Sequence, residues 1–293
     1  MQQTKEILRK VKKIEITTKQ LVDGIITGNY HSIFKGQGVE FSESREYHEG
    51  DDIRSIDWKV TARFDHPFVK EFIEERDLCV YFALDMSGSS AFGNNISKRN
   101  KSIEVIASLM FAALKNNDNV GAFLFTDDIE TFIPARKGRK HVLKCISKIV
   151  SFKPSSKTTN LRFVLKCISK VVKKRSIIFL VSDFFDEDFL HPLKIMKLKH
   201  DVICLRIIDQ RELVIPDVGL IELEDEETGE QILVDTSDEE FRNNYMKLMN
   251  QKDKELASSL RKIKIDIVRI LTDEPFEVPL KKFFKIRLRR VMR

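Results

Sequence analysis

No stretch of this sequence approaches the roughly 20 apolar residues that span a bilayer. The first residues, Met1 to Lys13, are charged and hold no apolar signal core. These absences predict a cytoplasmic protein. Cysteine is scarce: Cys79, Cys145, Cys167 and Cys204 are the only four, none in a Cys-x-x-Cys pair, all within apolar patterns. That excludes a disulfide framework and a cysteine metal site, and fits reduced packing residues. Tryptophan occurs once, as Trp58. Whole segments lack charge of one sign. Pro134 to Arg175 holds 14 Lys or Arg and no Asp or Glu, and Lys281 to Arg293 holds seven basic and no acidic residues. Ile221 to Glu240 holds ten acidic and no basic residues. Such segregation predicts charged partners, or contacts between these segments.

What is present describes a globular protein. Hydrophobic residues make up 42% and charged residues 33% of 293 positions. A chain of this length buries on the order of 75% of its unfolded surface, so no disulfide or structural metal is needed for stability. Ile7, Val11, Ile14, Leu21 and Ile25 follow helical spacing, and Gly28 and Asn29 end the pattern. From Gly36 to Arg76 charges of both signs alternate with Tyr47, Ile53, Ile56 and Trp58. Interleaved opposite charges can satisfy one another, so this segment reads as a salt-bridged clasp docked on the main domain. A binding or catalytic surface is the other reading.

From Leu78 onward strands and helices alternate. The spacing predicts strands over 78–84, 120–125, 129–133, 176–181, 202–208 and 265–271, and helices over 97–115, 140–152, 161–173, 188–199 and 238–263. Val218–Leu223 and Gln231–Val234 read as a hairpin, and the basic tail from Val278 as a helix. Two octapeptides, Leu143-Lys-Cys-Ile-Ser-Lys-Ile-Val150 and Leu165-Lys-Cys-Ile-Ser-Lys-Val-Val172, differ at one position. Two copies make no solenoid, and they read as helices with similar packing demands.

The chemistry gathers where strands end. Tyr81-Phe-Ala-Leu-Asp-Met-Ser-Gly-Ser-Ser90 is an apolar strand that stops at Asp85, with hydroxyls at Ser87 and Ser89. Asp183 ends a later strand, and Thr158 and Thr159 precede the helix that feeds it. In open parallel sheets, ligands bind outside the carboxyl ends of the strands where strand order reverses. Asp85, Ser87, Ser89, Thr159 and Asp183 could meet there as an oxygen-rich site for a hard cation. Each also has an ordinary explanation: Asp85 and the serines as turn residues, Thr159 and Asp183 as helix caps.

Asp85-Met-Ser-Gly-Ser89 with Thr159 and Asp183 resembles the metal-ion-dependent adhesion site of von Willebrand factor A domains. Arg45-Glu-Tyr-x-x-Gly-Asp-Asp-x-Arg-x-Ile-Asp-Trp58, Ala62-Arg63, Glu71-Phe-x-x-Glu-Arg76 and Glu224-Asp-Glu-Glu-Thr-Gly229 are similar to the bacterial von Willebrand A-like family filed as domain of unknown function fifty-eight. The resemblance implies an α/β fold with a doubly wound, mostly parallel sheet and one antiparallel edge strand. It divides the chain into residues 1–76, an N-terminal helix plus a charged family-specific segment, and residues 77–293, a von Willebrand A-like domain. That domain would carry a hairpin insertion near 212–235 and a basic C-terminal helix. Many relatives carry membrane helices before this region, and none is read here.

The resemblance also implies Mg²⁺ or Mn²⁺ held by Asp85, Ser87, Ser89, Thr159 and Asp183, with most direct ligands neutral hydroxyls. A cation held that way wants one more anionic oxygen, naturally a partner's Glu or Asp. The implied partner is a MoxR-type AAA+ ATPase, in a chaperone-like or stress-tolerance role without enzymatic activity. No His, Cys or Lys within the motif supplies a general base. A Mg²⁺-dependent phosphohydrolase is the alternative, although Ser87 stands where a haloacid-dehalogenase-type enzyme would carry Asp. Nucleic-acid binding through residues 134–175 is a further one. Lys144, Lys148, Lys166 and Lys170 recur there as on solvated helix faces, without interleaved stacking aromatics.

Overall fold

Two strands that the charge pattern hides open the fold: β1 (Gly38–Glu46) and β2 (Phe68–Glu75) pair antiparallel. They belong to this computed structural model, which describes residues 9, 11–12, 14–16, 38–64, 66–75, 78–91, 97–186, 188–224 and 229–291. The chain divides into two compact units, one of Phe34–Leu78 and one of Met1–Ile33 with Cys79–Arg293.

In the smaller unit one opposite pair among the interleaved charges, Arg45 and Asp51, meets directly. Arg45 donates to both carboxylate oxygens of Asp51, at 2.7 and 2.8 Å. These bonds hold the Asp51 carboxyl well below the usual carboxylate range. Asp57 caps the single turn α1 (Trp58–Thr61) by accepting from the backbone N–H groups of Lys59 and Val60. Trp58 and Ile53 are exposed.

In the larger unit, the described residues of the first stretch, 9, 11–12 and 14–16, are helical, and Val11 is buried. Ile7, Leu21, Ile25, Gly28 and Asn29 lie outside the described residues. The elements then run β3 (Cys79–Asp85), α2 (Lys98–Lys115), β4 (Asn119–Phe125), β5 (Ile129–Arg136), α3 (Arg139–Ser151), α4 (Leu161–Val171), β6 (Ile177–Val181), α5 (Leu190–Lys199) and β7 (Asp201–Ile208). A short α6 (Gln210–Leu213) leads to the hairpin β8 (Leu220–Glu224) and β9 (Gln231–Asp235), then α7 (Glu239–Lys262), β10 (Asp266–Leu271) and α8 (Glu277–Val291). The main sheet has the order β10-β7-β6-β3-β4-β5. All neighbours are parallel except β5, which runs antiparallel to β4 at the edge. This is the doubly wound, mostly parallel α/β arrangement that the resemblance implied.

The central strands are buried along their length, as parallel strands covered on both faces must be. α4 and α5 pack on one face, in a cluster with Ala83, Phe123, Phe125, Ile178 and Leu180. α2 and α3 pack together outside that cluster, and Phe82 stacks on Phe179 on alternate residues, 5.3 Å between centroids. The basic run 134–175 is therefore shared between α3 and α4, which bury themselves in different layers.

One glycine in the sheet is required by close approach. Gly121 in β4 lies beside Tyr81 of β3. A Cβ there would stand 2.6 Å from Tyr81 Cε1 and 2.8 Å from the Ile133 backbone oxygen. The ring can move, but the edge-strand carbonyl cannot without breaking its ladder. Gly121→Ala is expected to cost about 1–3 kcal/mol, as overpacking does, read by urea denaturation. A cost below about 0.5 kcal/mol would show that the edge strand gives way.

His200, at the end of α5, predicts an acid-sensitive core. It is buried, and neither ring nitrogen has a hydrogen-bond partner among the described residues. Burial, then the Lys199 charge, pushes its pKa down to about 4. Folding therefore favours the neutral ring, and the stability it preserves above its ordinary pKa is lost as pH falls from about 6.5 towards 4. His200→Leu should remove about 1–3 kcal/mol of that loss. Equal losses for parent and variant between pH 7 and pH 4.5 would refute the assignment.

Candidate metal centre

The strand order reverses between β3 and β6: β4 follows β3 on one side, and β6, β7 and β10 build out on the other. Their parallel register, Leu84 beside Val181, brings the two carboxyl ends together. Asp85 closes β3, and Ser182 and Asp183 follow β6 directly.

Asp85 is the hub. Its Oδ1 accepts from Ser87 Oγ at 2.6 Å, from the Ser87 backbone N–H at 3.1 Å and from Thr159 Oγ1 at 3.4 Å. Its Oδ2 accepts from Ser182 Oγ at 2.9 Å. Ser89 Oγ lies 3.2 Å from Ser87 Oγ. The Gly88 backbone N–H donates to the Lys157 carbonyl at 2.8 Å, tying the serine loop to the threonine loop. The five sequence-predicted residues thus stand around one sheet edge.

The ordinary explanations for two of them do not hold. Asn160, not Thr159, caps α4, its Oδ1 accepting from the Phe163 N–H at 2.9 Å. Among the described residues Asp183 caps no helix: α5 begins after Phe189 without a side-chain cap. Thr158 is exposed and turns to Ser156, whereas Thr159 turns to Asp85.

The electrostatics call for positive charge. Burial, and next the negative charge of Asp183, push the Asp85 pKa up to about 7, against the hydroxyl and amide donors that lower it. A buried cation stands near. Lys98 Nζ, at the start of α2, lies 2.6 Å from Glu212 Oε1 and 3.5 Å from Asp183 Oδ2. Asp85, Ser89, Lys98, Ser182 and Asp183 line a cavity of about 20 Å³, room for about one water-sized group. Two carboxylates and three hydroxyls form an all-oxygen donor set, which suits a hard cation such as Mg²⁺ and not a soft metal. Among the described residues no three His, Cys, Asp or Glu gather as a metal-binding group. The hydroxyls would therefore have to complete any shell.

Ser182, Lys98 and Glu212 escaped the sequence reading. Ser182 had a signal, because it precedes Asp183 at the strand end. Lys98 and Glu212 are 114 positions apart and meet only through the fold.

The chain is 28% identical over 283 residues to the uncharacterized protein Rv1480 of Mycobacterium tuberculosis, covering 95% of this chain and 89% of that one. It is 30% identical over 97 residues to the uncharacterized protein YeaD of Bacillus subtilis, covering 33% of this chain and 22% of that one. Among solved structures, the conserved hypothetical protein BatB from Bacteroides thetaiotaomicron superposes with a TM-score of 0.46 at 16% identity. That match covers 72% of this chain and 99% of BatB. A sequence profile described as "Protein of unknown function DUF58" matches residues 43–255. The chain belongs to this DUF58 family.

Proposed function

We propose that the chain is a non-enzymatic, metal-dependent protein-interaction adaptor. Asp85, Ser87, Ser89, Thr159 and Asp183 hold Mg²⁺ or Mn²⁺, and the bound ion takes a carboxylate from a partner protein. The observation that carries this is the convergence on Asp85 of hydroxyls from two tied loops, with Asp183 beside it. Such a shell has few charges of its own and leaves an ion short of anionic oxygen. The family resemblance supplies the partner class, a MoxR-type AAA+ ATPase, and a chaperone-like or stress-tolerance role, and the four free cysteines support a place in the reducing cytoplasm. Among the described residues no helix is long and apolar enough to cross a membrane.

The site's own residues favour docking over phosphoryl hydrolysis. Ser87 occupies the position two after Asp85, and Lys98, the cation lining the cavity, is engaged by Asp183 and Glu212. The separation of the basic run between α3 and α4 weighs against a single nucleic-acid face. The test is capture of a MoxR-type ATPase from a lysate of the source cell by the immobilised chain in Mg²⁺. Capture should be lost with Asp85→Ala and with excess chelator. Undiminished capture in either condition would sink the metal-docking reading.

A further inference from the structure

Beside the proposed metal centre lies a second, larger cavity of about 480 Å³, within the range of ligand pockets. Phe185, Tyr245, Met249, Leu223 and Ile232 give it an apolar and aromatic lining; Glu212 is paired with Lys98, and Glu224 and Glu230 give it negative charge. Two of those carboxylates come from the acidic run 221–240, which the metal site leaves unexplained. The cavity adjoins the metal centre in two ways. Phe185 follows Asp183 by two residues, and Lys98 contacts both Asp183 and Glu212.

We infer that this cavity receives an arginine side chain of the partner polypeptide. Arginine fits because a planar guanidinium stacks on aromatic rings and bonds carboxylates in a forked geometry. Phe185 already draws cations: the Arg206 guanidinium stands 5.2 Å and the Lys252 ammonium 6.0 Å from its centroid. The Tyr245 hydroxyl donates to the Glu212 backbone carbonyl at 3.1 Å, fixing the second ring in place. Glu224 and Glu230 are exposed at the rim, where an incoming cation meets them first. The partner would then present an acid to the metal and an arginine to the cavity, a pairing that sets orientation as well as affinity. Only this shared-partner step rests on the proposed metal docking; the arginine site stands on its own geometry.

The experiment titrates the full chain, labelled with ¹³C-methyl methionine, with N-acetyl-arginine amide, in chelator and again in Mg²⁺. Met249 is buried in the cavity wall and its methyl resonance reports filling. The expected result is a saturable shift of that resonance, on the order of tenfold weaker in the Glu224→Gln/Glu230→Gln double variant, and weaker at high salt. Both positions are exposed, so the variant keeps its fold, which an unchanged Tm verifies. Equal shifts from the neutral isostere N-acetyl-citrulline amide, equal affinity for N-acetyl-lysine amide, or parent-like binding by the double variant would each overturn the assignment. Asp85→Asn separates the two proposals: arginine binding persists in it, whatever becomes of the Mg²⁺ response.

Discussion

Asp85→Asn is expected to abolish the response of this protein to Mg²⁺ while leaving its metal-free stability at least equal to the parent's. The two halves of that expectation have one cause. In the parent, Asp85 is buried beside Asp183, and both burial and that neighbouring charge work against its ionised form. The amide keeps an oxygen that can accept from Ser87 and Thr159, and the Ser182 hydroxyl can turn to accept from its NH₂. The charge disappears and the bonds largely stay. A ligand that binds only the folded state adds about 2.7 kcal/mol at 100 times its Kd. For a domain of this size that raises Tm by roughly 5–10 °C. Thermal unfolding of parent and variant, in chelator and across a MgCl₂ series, reads both halves. A parent that ignores Mg²⁺ and Mn²⁺ defeats the metal assignment, and a variant that responds as the parent does defeats the role given to Asp85.

The fold and four of the five clustered residues, Asp85, Ser87, Ser89 and Asp183, were legible from local signals, whereas the choice of Thr159 over its neighbour Thr158 came from the family resemblance. Apolar runs such as Val80–Leu84 and Ile177–Val181 mark buried parallel strands, and their polar ends mark the sheet edge where ligands sit. β1 and β2 were not legible, because Arg45, Glu46, Lys70 and Glu71 interrupt the apolar alternation that marks a strand. The octapeptide repeat misled for another reason. Ile149 of the first copy is buried, but the matching Val171 of the second is 44% exposed. Likewise Cys145 is buried and Cys167 only partly so. One sequence thus serves two helices that turn different faces inward, because the layer above decides the face. Lys98 and Glu212 show the limit of spacing arguments: no periodicity announces a contact across the fold, and their pairing is what joins the metal centre to the neighbouring cavity.

That same region depends on a buried ion pair, and breaking it should give the largest loss of stability. Arg206 in β7 is 3% exposed and donates to Asp253 of α7, itself buried. Arg269 of β10 reaches the other Asp253 oxygen at 2.7 Å. Burial lowers the Arg206 pKa, and Asp253 is the first of the charges that oppose this. Asp253→Ala leaves a guanidinium in the interior with its main counter-charge gone, which costs about 3–5 kcal/mol. In Tm that is a fall of roughly 6–20 °C. Replacing both partners by apolar residues, Arg206→Met with Asp253→Leu, should recover most of the loss, because a buried pair offsets its own desolvation only partly. The double-mutant cycle on urea unfolding isolates the coupling. A single variant within about 1 kcal/mol of the parent would mean that Arg206 finds water or another acid when Asp253 is removed. The consequence reaches the ligand surface as well: Arg206 supports the Phe185 ring, so Asp253→Ala should also weaken N-acetyl-arginine amide binding, whereas the apolar pair should restore stability without restoring the stack.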